Sequence, residues 1–177
     1  KSGWFSSSTK YRTYCTEADA EIEQQITAVF DSIYDSVLLG AKMLGGSENE
    51  IINALNNFVV DLGKIKLSGT AQEMQETLTA AFGAAGDNIA KSVFPGLEKF
   101  QKVGEGYLET LIRVATELEN VNSWFDMLGI SLLNLGISGA AASQSLIEIF
   151  GGLSNFETAT SNFYDNFYTE EEKNAKR

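Results

Sequence analysis

Carboxylates are the residues this chain has in numbers sufficient for chemistry, and their spacing decides how far that chemistry goes. Asp31 with Asp35, and Glu105 with Glu109, lie four apart, so on a helix each pair shares a face. Two carboxylates side by side can take a magnesium ion or divide the acid and base work of a glycosidase. Neither pair has further ligands around it, and such a pair is more often a wet, mildly self-repelling surface. Glu17, Asp19, Glu21 and Glu23 are two apart, so neighbours in that series point in different directions on a helix. Gly83-Ala84-Ala85-Gly86 and Gly104-Glu105-Gly106 lack the lysine and the glycine spacing of a phosphate-binding loop. Cys15 has Lys10 and Arg12 nearby, but Glu17 and Asp19 are closer, which works against a reactive thiolate. There is no histidine, which removes Ser-His-Asp and Cys-His systems and every His-ligated metal. No catalytic residue, cofactor site or metal site is expected.

The 177 residues fit one domain, and 44% hydrophobic with 21% charged content is that of a globular chain. Thirteen basic residues against 24 acidic ones give a net charge of −11, which repels phosphate. Nucleic acid is therefore not an expected partner, and anionic membrane surfaces are disfavoured. The single cysteine cannot close an intrachain disulfide. Lys1-Ser2-Gly3-Trp4-Phe5-Ser6 has no long apolar run of the signal-peptide kind, and no initiator methionine stands first. The chain is expected to be a piece of something longer.

The elements that must carry these residues read as helices. From Thr16, the positions Ile22, Ile26, Val29, Ile33, Val37, Ala41 and Leu44 step by three or four, and Gly45-Gly46 ends the run. Ser47 with Glu50, Thr70 with Glu73, and Ser154 with Glu157 each have the spacing of a reciprocal helix cap. Phe58, Val60 and Leu62, then Ile65 and Leu67, alternate, which predicts a minor short strand or hairpin around 58–67, with Lys10-Tyr11-Arg12-Thr13-Tyr14 as its only pairing partner. The helix from Thr70 is expected to break at Gly83 to Gly86, and a shorter one to stop before Pro95. Leu97, Phe100, Gly104, Tyr107, Leu111, Val114, Leu118 and Val121 alternate steps of three and four, as in a coiled-coil seam. Residues 127–147 carry no charge but are too polar for a confident membrane span, and read as a buried helix pair turning at Gly136 to Gly139. The expected fold is mainly α, a compact bundle of about six to seven short-to-medium helices. It has an extended segment over 1–15, one helical domain over 16–168 and a charged tail over 169–177, in which Thr169 begins either a solvated end or a further helix.

What remains is contact with other proteins. In the last long helix, Phe156, Phe163 and Phe167 are expected to point inward, leaving Tyr164 and Tyr168 for a contact surface. Trp124 and Phe125 raise the same question, and Tyr107, Leu111 and Leu118 on the seam are the candidates for self-association. For these aromatics and the seam alike, burial in the chain's own core is the commoner use.

Three passages resemble the tail tape-measure proteins of long-tailed bacteriophages and prophages. The first is Leu67-Ser68-Gly69-Thr70-Ala71-Gln72-Glu73-Met74-Gln75-Glu76-Thr77-Leu78, followed by Ala81-Phe82. The second runs from Phe94-Pro95-Gly96-Leu97 through Gly104-Glu105-Gly106-Tyr107-Leu108-Glu109-Thr110-Leu111 to Arg113-Val114-Ala115, and its Gly-Glu-Gly block is the most specific. The third is Phe163-Tyr164-Asp165-Asn166-Phe167-Tyr168-Thr169-Glu170-Glu171-Glu172-Lys173. Together they cover roughly residue 50 to the end, and none carries a catalytic motif. The resemblance implies a virion protein of the tail lumen or tip, made in the host cytoplasm, present in several copies, setting tail length and leaving with the genome. Its partners would be tail-tip, baseplate and tube proteins and further copies of itself. One continuous helix of this length would reach roughly 265 Å, but the glycines and Pro95 cut the chain into pieces. A docking module at one end of the tape measure is therefore expected, not the measuring rod. The uncharged 127–147 stretch supplies a second expectation, a membrane-active module aiding DNA passage. A cell-wall hydrolase is a third, and it would need a paired glutamate in a cleft.

Overall fold

The computed structural model describes residues 20–62 and 68–176. The protein is mainly α, as its periodicity predicts. Among the described residues it has seven α-helices and no strand: α1 (Ala20–Leu44), α2 (Glu48–Leu62), α3 (Ala71–Val93), α4 (Tyr107–Met127), α5 (Ile137–Ile149), α6 (Leu153–Phe167) and α7 (Glu170–Ala175), with a 3₁₀ turn at Leu97–Phe100. The chain divides into two compact units, 1–112 and 113–177. The division falls inside α4, where no glycine- or proline-rich linker marks it, so a single domain over 16–168 was the natural expectation. Thr16, Cys15, the Lys10 to Tyr14 segment, Ile65 and Leu67 lie outside the described residues.

In the first unit, α1, α2 and α3 pack on one another. Ile33, Val37 and Leu44 of the α1 stripe are buried, as are Ile51 of α2 and Phe82 and Ile89 of α3; each contributes about 1.5–3 kcal/mol if fully buried. α1 stops at Gly45, whose φ of 81° is the left-handed conformation that glycine adopts without strain. Ser47 and Glu50 then cap α2 reciprocally, and Thr70 and Glu73 cap α3 in the same way. The predicted strand is corrected over 58–62, which continue α2. Five alternating residues are outweighed by the longer helical series Ile51, Leu55, Phe58, Leu62. The predicted break at Gly83 to Gly86 is also absent, and α3 runs through it. Ala84 and Ala85 between the glycines are the best helix formers. Gly86 has a packing reason as well: a Cβ there would lie 2.9 Å from Leu108 Cδ2.

The expected seam over 97–121 is not one helix. Pro95-Gly96 turns the chain into the 3₁₀ segment, and 101–106 form an open loop with Gly104 at φ 79° before α4 begins. The seam positions on α4 are buried core.

In the second unit, Val121, Ile147 and Phe156 form a core against which Trp124, Phe125, Leu133, Leu146 and Leu153 pack. The helix pair expected over 127–147 is corrected to the end of α4, an irregular link and one helix, α5. α4 closes in a Schellman turn: the Ile130 amide bonds the Phe125 carbonyl (2.8 Å), the Gly129 amide bonds that of Asp126 (3.1 Å), and Gly129 has φ 69°. The link is tied to α4 by the Asn122 side chain. It accepts from the Leu133 amide (2.8 Å) and donates to the Leu133 carbonyl (3.2 Å). The cap expected at Ser154 does not form. A second Schellman turn at Gly151 delivers the chain to Gly152, so α6 starts at Leu153 with Ser154 already inside its first turn. Thr169 does begin a further helix, α7, with a complete reciprocal cap to Glu172.

Candidate contact surface

The Gly-Glu-Gly block leads into α4, whose first residue is Tyr107. The Tyr107 hydroxyl is buried, donates to the Phe94 carbonyl (2.6 Å) and accepts from the Leu97 amide (3.1 Å). It thereby closes the turn in which Pro95 sits at i+1 and Gly96, at φ 95° and ψ 5°, takes the left-handed i+2 corner of a type II turn. Burial pushes the Tyr107 phenol above its ordinary value of 10.0, against the lowering effect of the Leu97 amide. The Glu105 carboxylate accepts from the Thr110 hydroxyl (2.6 Å), which anchors the loop to the first turn of α4. Asp87 of α3 accepts from the Leu108 amide (3.0 Å), one of the orphan donors at the start of α4. Glu105 is thus a structural acceptor, while Glu109, Asp31 and Asp35 stand exposed. Among the described residues no group of three or more His, Cys, Asp or Glu side chains could hold a metal ion.

The second unit has a part-buried polar ring. Arg113 Nη1 donates to Gln144 Oε1 (2.8 Å) and lies 3.4 Å from Glu117 Oε2, and Gln144 Nε2 donates to that same oxygen. Glu117, 9% exposed, accepts from both of these donors there. At the end of α4 the Tyr168 hydroxyl donates to the Leu128 carbonyl (2.7 Å) and the Lys176 ammonium to that of Met127 (2.9 Å). A cation belongs at that negative helix end.

The expected contact residues mostly lie elsewhere than on a surface. Leu111 and Leu118 are fully buried, and Tyr107 is buried nearly so, which removes them as a self-association face of this conformation. Tyr164 is buried too, and Tyr168 is half-buried and committed to Leu128. Trp124 and Phe125 are half-buried against the core of the second unit. Phe163 and Phe167, expected inside, are 46% and 72% exposed, while Phe156 is in the core as expected. The reason is the face of α6 that turns inward: Phe156, Thr160 and Tyr164 are four apart and all buried, which leaves Phe163 and Phe167 off that line. The two phenyl rings stack on each other, centroids 4.6 Å apart and planes 19° from parallel, with Tyr168 edge-on to Phe163 at 6.4 Å. An exposed aromatic pair of this kind is what protein contact surfaces are built around.

The fold and contacts above define a helical protein with an exposed, stacked aromatic pair. No protein-family model, curated protein or solved structure matches this chain.

Proposed function

We propose that this chain is a non-enzymatic structural module of a phage tail tape-measure protein, docking to tail-tip or baseplate components and serving tail-length determination, assembly and genome ejection. Its place is then the virion tail, after synthesis in the host cytoplasm. The observation that carries this reading is the passage 94–115, where the tape-measure resemblance is most specific. Its Tyr107, Glu105 and Thr110 all work within the fold, holding a turn, a loop and a helix start, which is the use a module without chemistry makes of its marked residues. The helices suit a docking piece better than a ruler, since α1, the longest described, has 25 residues and spans about 38 Å. The Phe163–Phe167 stack is the docking anchor. The test is co-expression with the tail-tip proteins encoded beside it. A stable complex on size exclusion is expected; a chain that elutes alone with each of them contradicts the docking reading.

A second reading, a membrane-active module, is favoured by Ile130, Leu132 and Leu135, which are 48%, 54% and 58% exposed on the uncharged link. No described helix is long and apolar enough to cross a membrane, so this reading concerns surface insertion. Leakage of zwitterionic vesicles supports it. Intact vesicles with Trp124 fluorescence unmoved dispose of it.

A further inference from the structure

Trp124 packs against the Val121, Ile147 and Phe156 core and also lines an open hollow of about 480 Å³. The other lining residues, Ser154, Glu157, Thr158, Ser161 and Asn162, all belong to one strip of α6 at helical spacing. Because α6 starts at Leu153, Glu157 is not drawn into capping, and its carboxylate has no ion pair or hydrogen bond among the described residues. The Trp124 indole N–H and the Ser161 and Asn162 side chains likewise have no partner there. No lysine or arginine lines the hollow.

The carboxylate, the indole face and the oxygen acceptors favour the same ligand chemistry. An indole face attracts a cation, a free carboxylate pairs with one, and the hydroxyl and amide oxygens accept hydrogen bonds. The net charge of −11 draws cations toward the chain and repels anions. A guanidinium meets the carboxylate, the oxygen acceptors and the indole face at once, since it is planar for stacking and carries its donors in that plane, and it leaves the indole N–H to water. A neutral sugar ring also stacks on tryptophan and can donate its hydroxyls to the carboxylate, but it leaves the charge uncompensated. We propose that the hollow between Trp124 and Glu157 receives an arginine side chain from a basic segment of the docking partner. For the identity of that partner this rests on the docking reading above.

Amide NMR of the ¹⁵N-labelled 177-residue chain tests it, with the Trp124 indole signal assigned by the Trp4→Phe variant. The probes are N-acetyl-arginine methylamide, its glutamate counterpart and N-acetylchitotriose. The arginine probe is expected to shift the Trp124 indole signal saturably, and Glu157→Gln to weaken that binding about fivefold or more; the glutamate probe shifts nothing. No saturable shift with arginine, a shift indifferent to Glu157→Gln, or tighter binding of the sugar overturns the proposal. Glu157-dependent arginine binding supports the hollow even where no tail-tip complex forms, an outcome that removes the docking reading alone. A tail-tip complex indifferent to Glu157→Gln overturns the hollow and leaves the docking reading standing.

Discussion

The Tyr107 hydroxyl reaches ten residues back along the chain to hold the Leu97 amide at 3.1 Å, and with the same oxygen it donates to Phe94. Phenylalanine at 107 keeps the ring but leaves a buried amide and a buried carbonyl without this partner. Tyr107→Phe is expected to lower unfolding free energy by about 1–3 kcal/mol. Urea denaturation followed by circular dichroism measures it, with the native helical signal unchanged. An unaltered midpoint would mean that the turn holds itself.

The same hydroxyl makes stability depend on alkaline pH. Burial raises the folded phenol above its ordinary value of 10.0, so the folded state binds the proton more tightly than the unfolded chain does. That contribution is fully present below about pH 10 and is lost as pH rises through the folded value. Thermal melts between pH 9 and 11 should show a decline that Tyr107→Phe lacks. Glu172 has the opposite sign, held below the usual carboxylate range by the Thr169 amide and then by the Thr169 hydroxyl. Its cap on α7 is present above the unfolded value and is lost as pH falls through the folded one. Acid titration of the Thr169 amide signal reads this directly.

Two glycines in helices should respond oppositely to alanine. A Cβ at Gly139 would collide with the backbone oxygen of Asn134, so the link must move aside, and Gly139→Ala is expected to cost about 2–4 kcal/mol. At Gly83 nothing lies within 4 Å, and alanine should stabilise α3 by about 0.5–1 kcal/mol. Differential scanning calorimetry of the two variants gives the signs.

These contrasts mark what the sequence made legible. The stop at Gly45 and the caps at Ser47 and Thr70 were readable because each rests on local backbone chemistry. Gly83 and Gly86 were not, because the tolerance of a helix for glycine depends on what packs beside it; at Gly86 that neighbour is Leu108. The Ser154 box failed for a related reason, since the turn before it delivers the chain two residues early. The exposed aromatic pair was the least legible feature. α6 bears aromatics at 156, 163, 164 and 167, so spacing alone left the inward face open, and packing against α5 settles it. Asp87 and Asn122 carried no signal, because each acts on backbone far along the chain.

Replacing both stacked phenylalanines separates docking from folding. Phe163 and Phe167 are 46% and 72% exposed, so the double change to serine should cost under about 1 kcal/mol of stability. Its effect on a tail-tip complex should be larger, weakening binding about tenfold or more. Titration calorimetry of the purified complex measures this, and an unchanged affinity would place the docking surface elsewhere.

The central claim is that this chain is a built part of a phage tail. Immunogold labelling of purified virions, with peptide mass spectrometry of the same particles, tests it most directly. Label on the tail and peptides from residues 94–115 in intact particles are the predicted result. Particles that assemble normally and contain neither would contradict it.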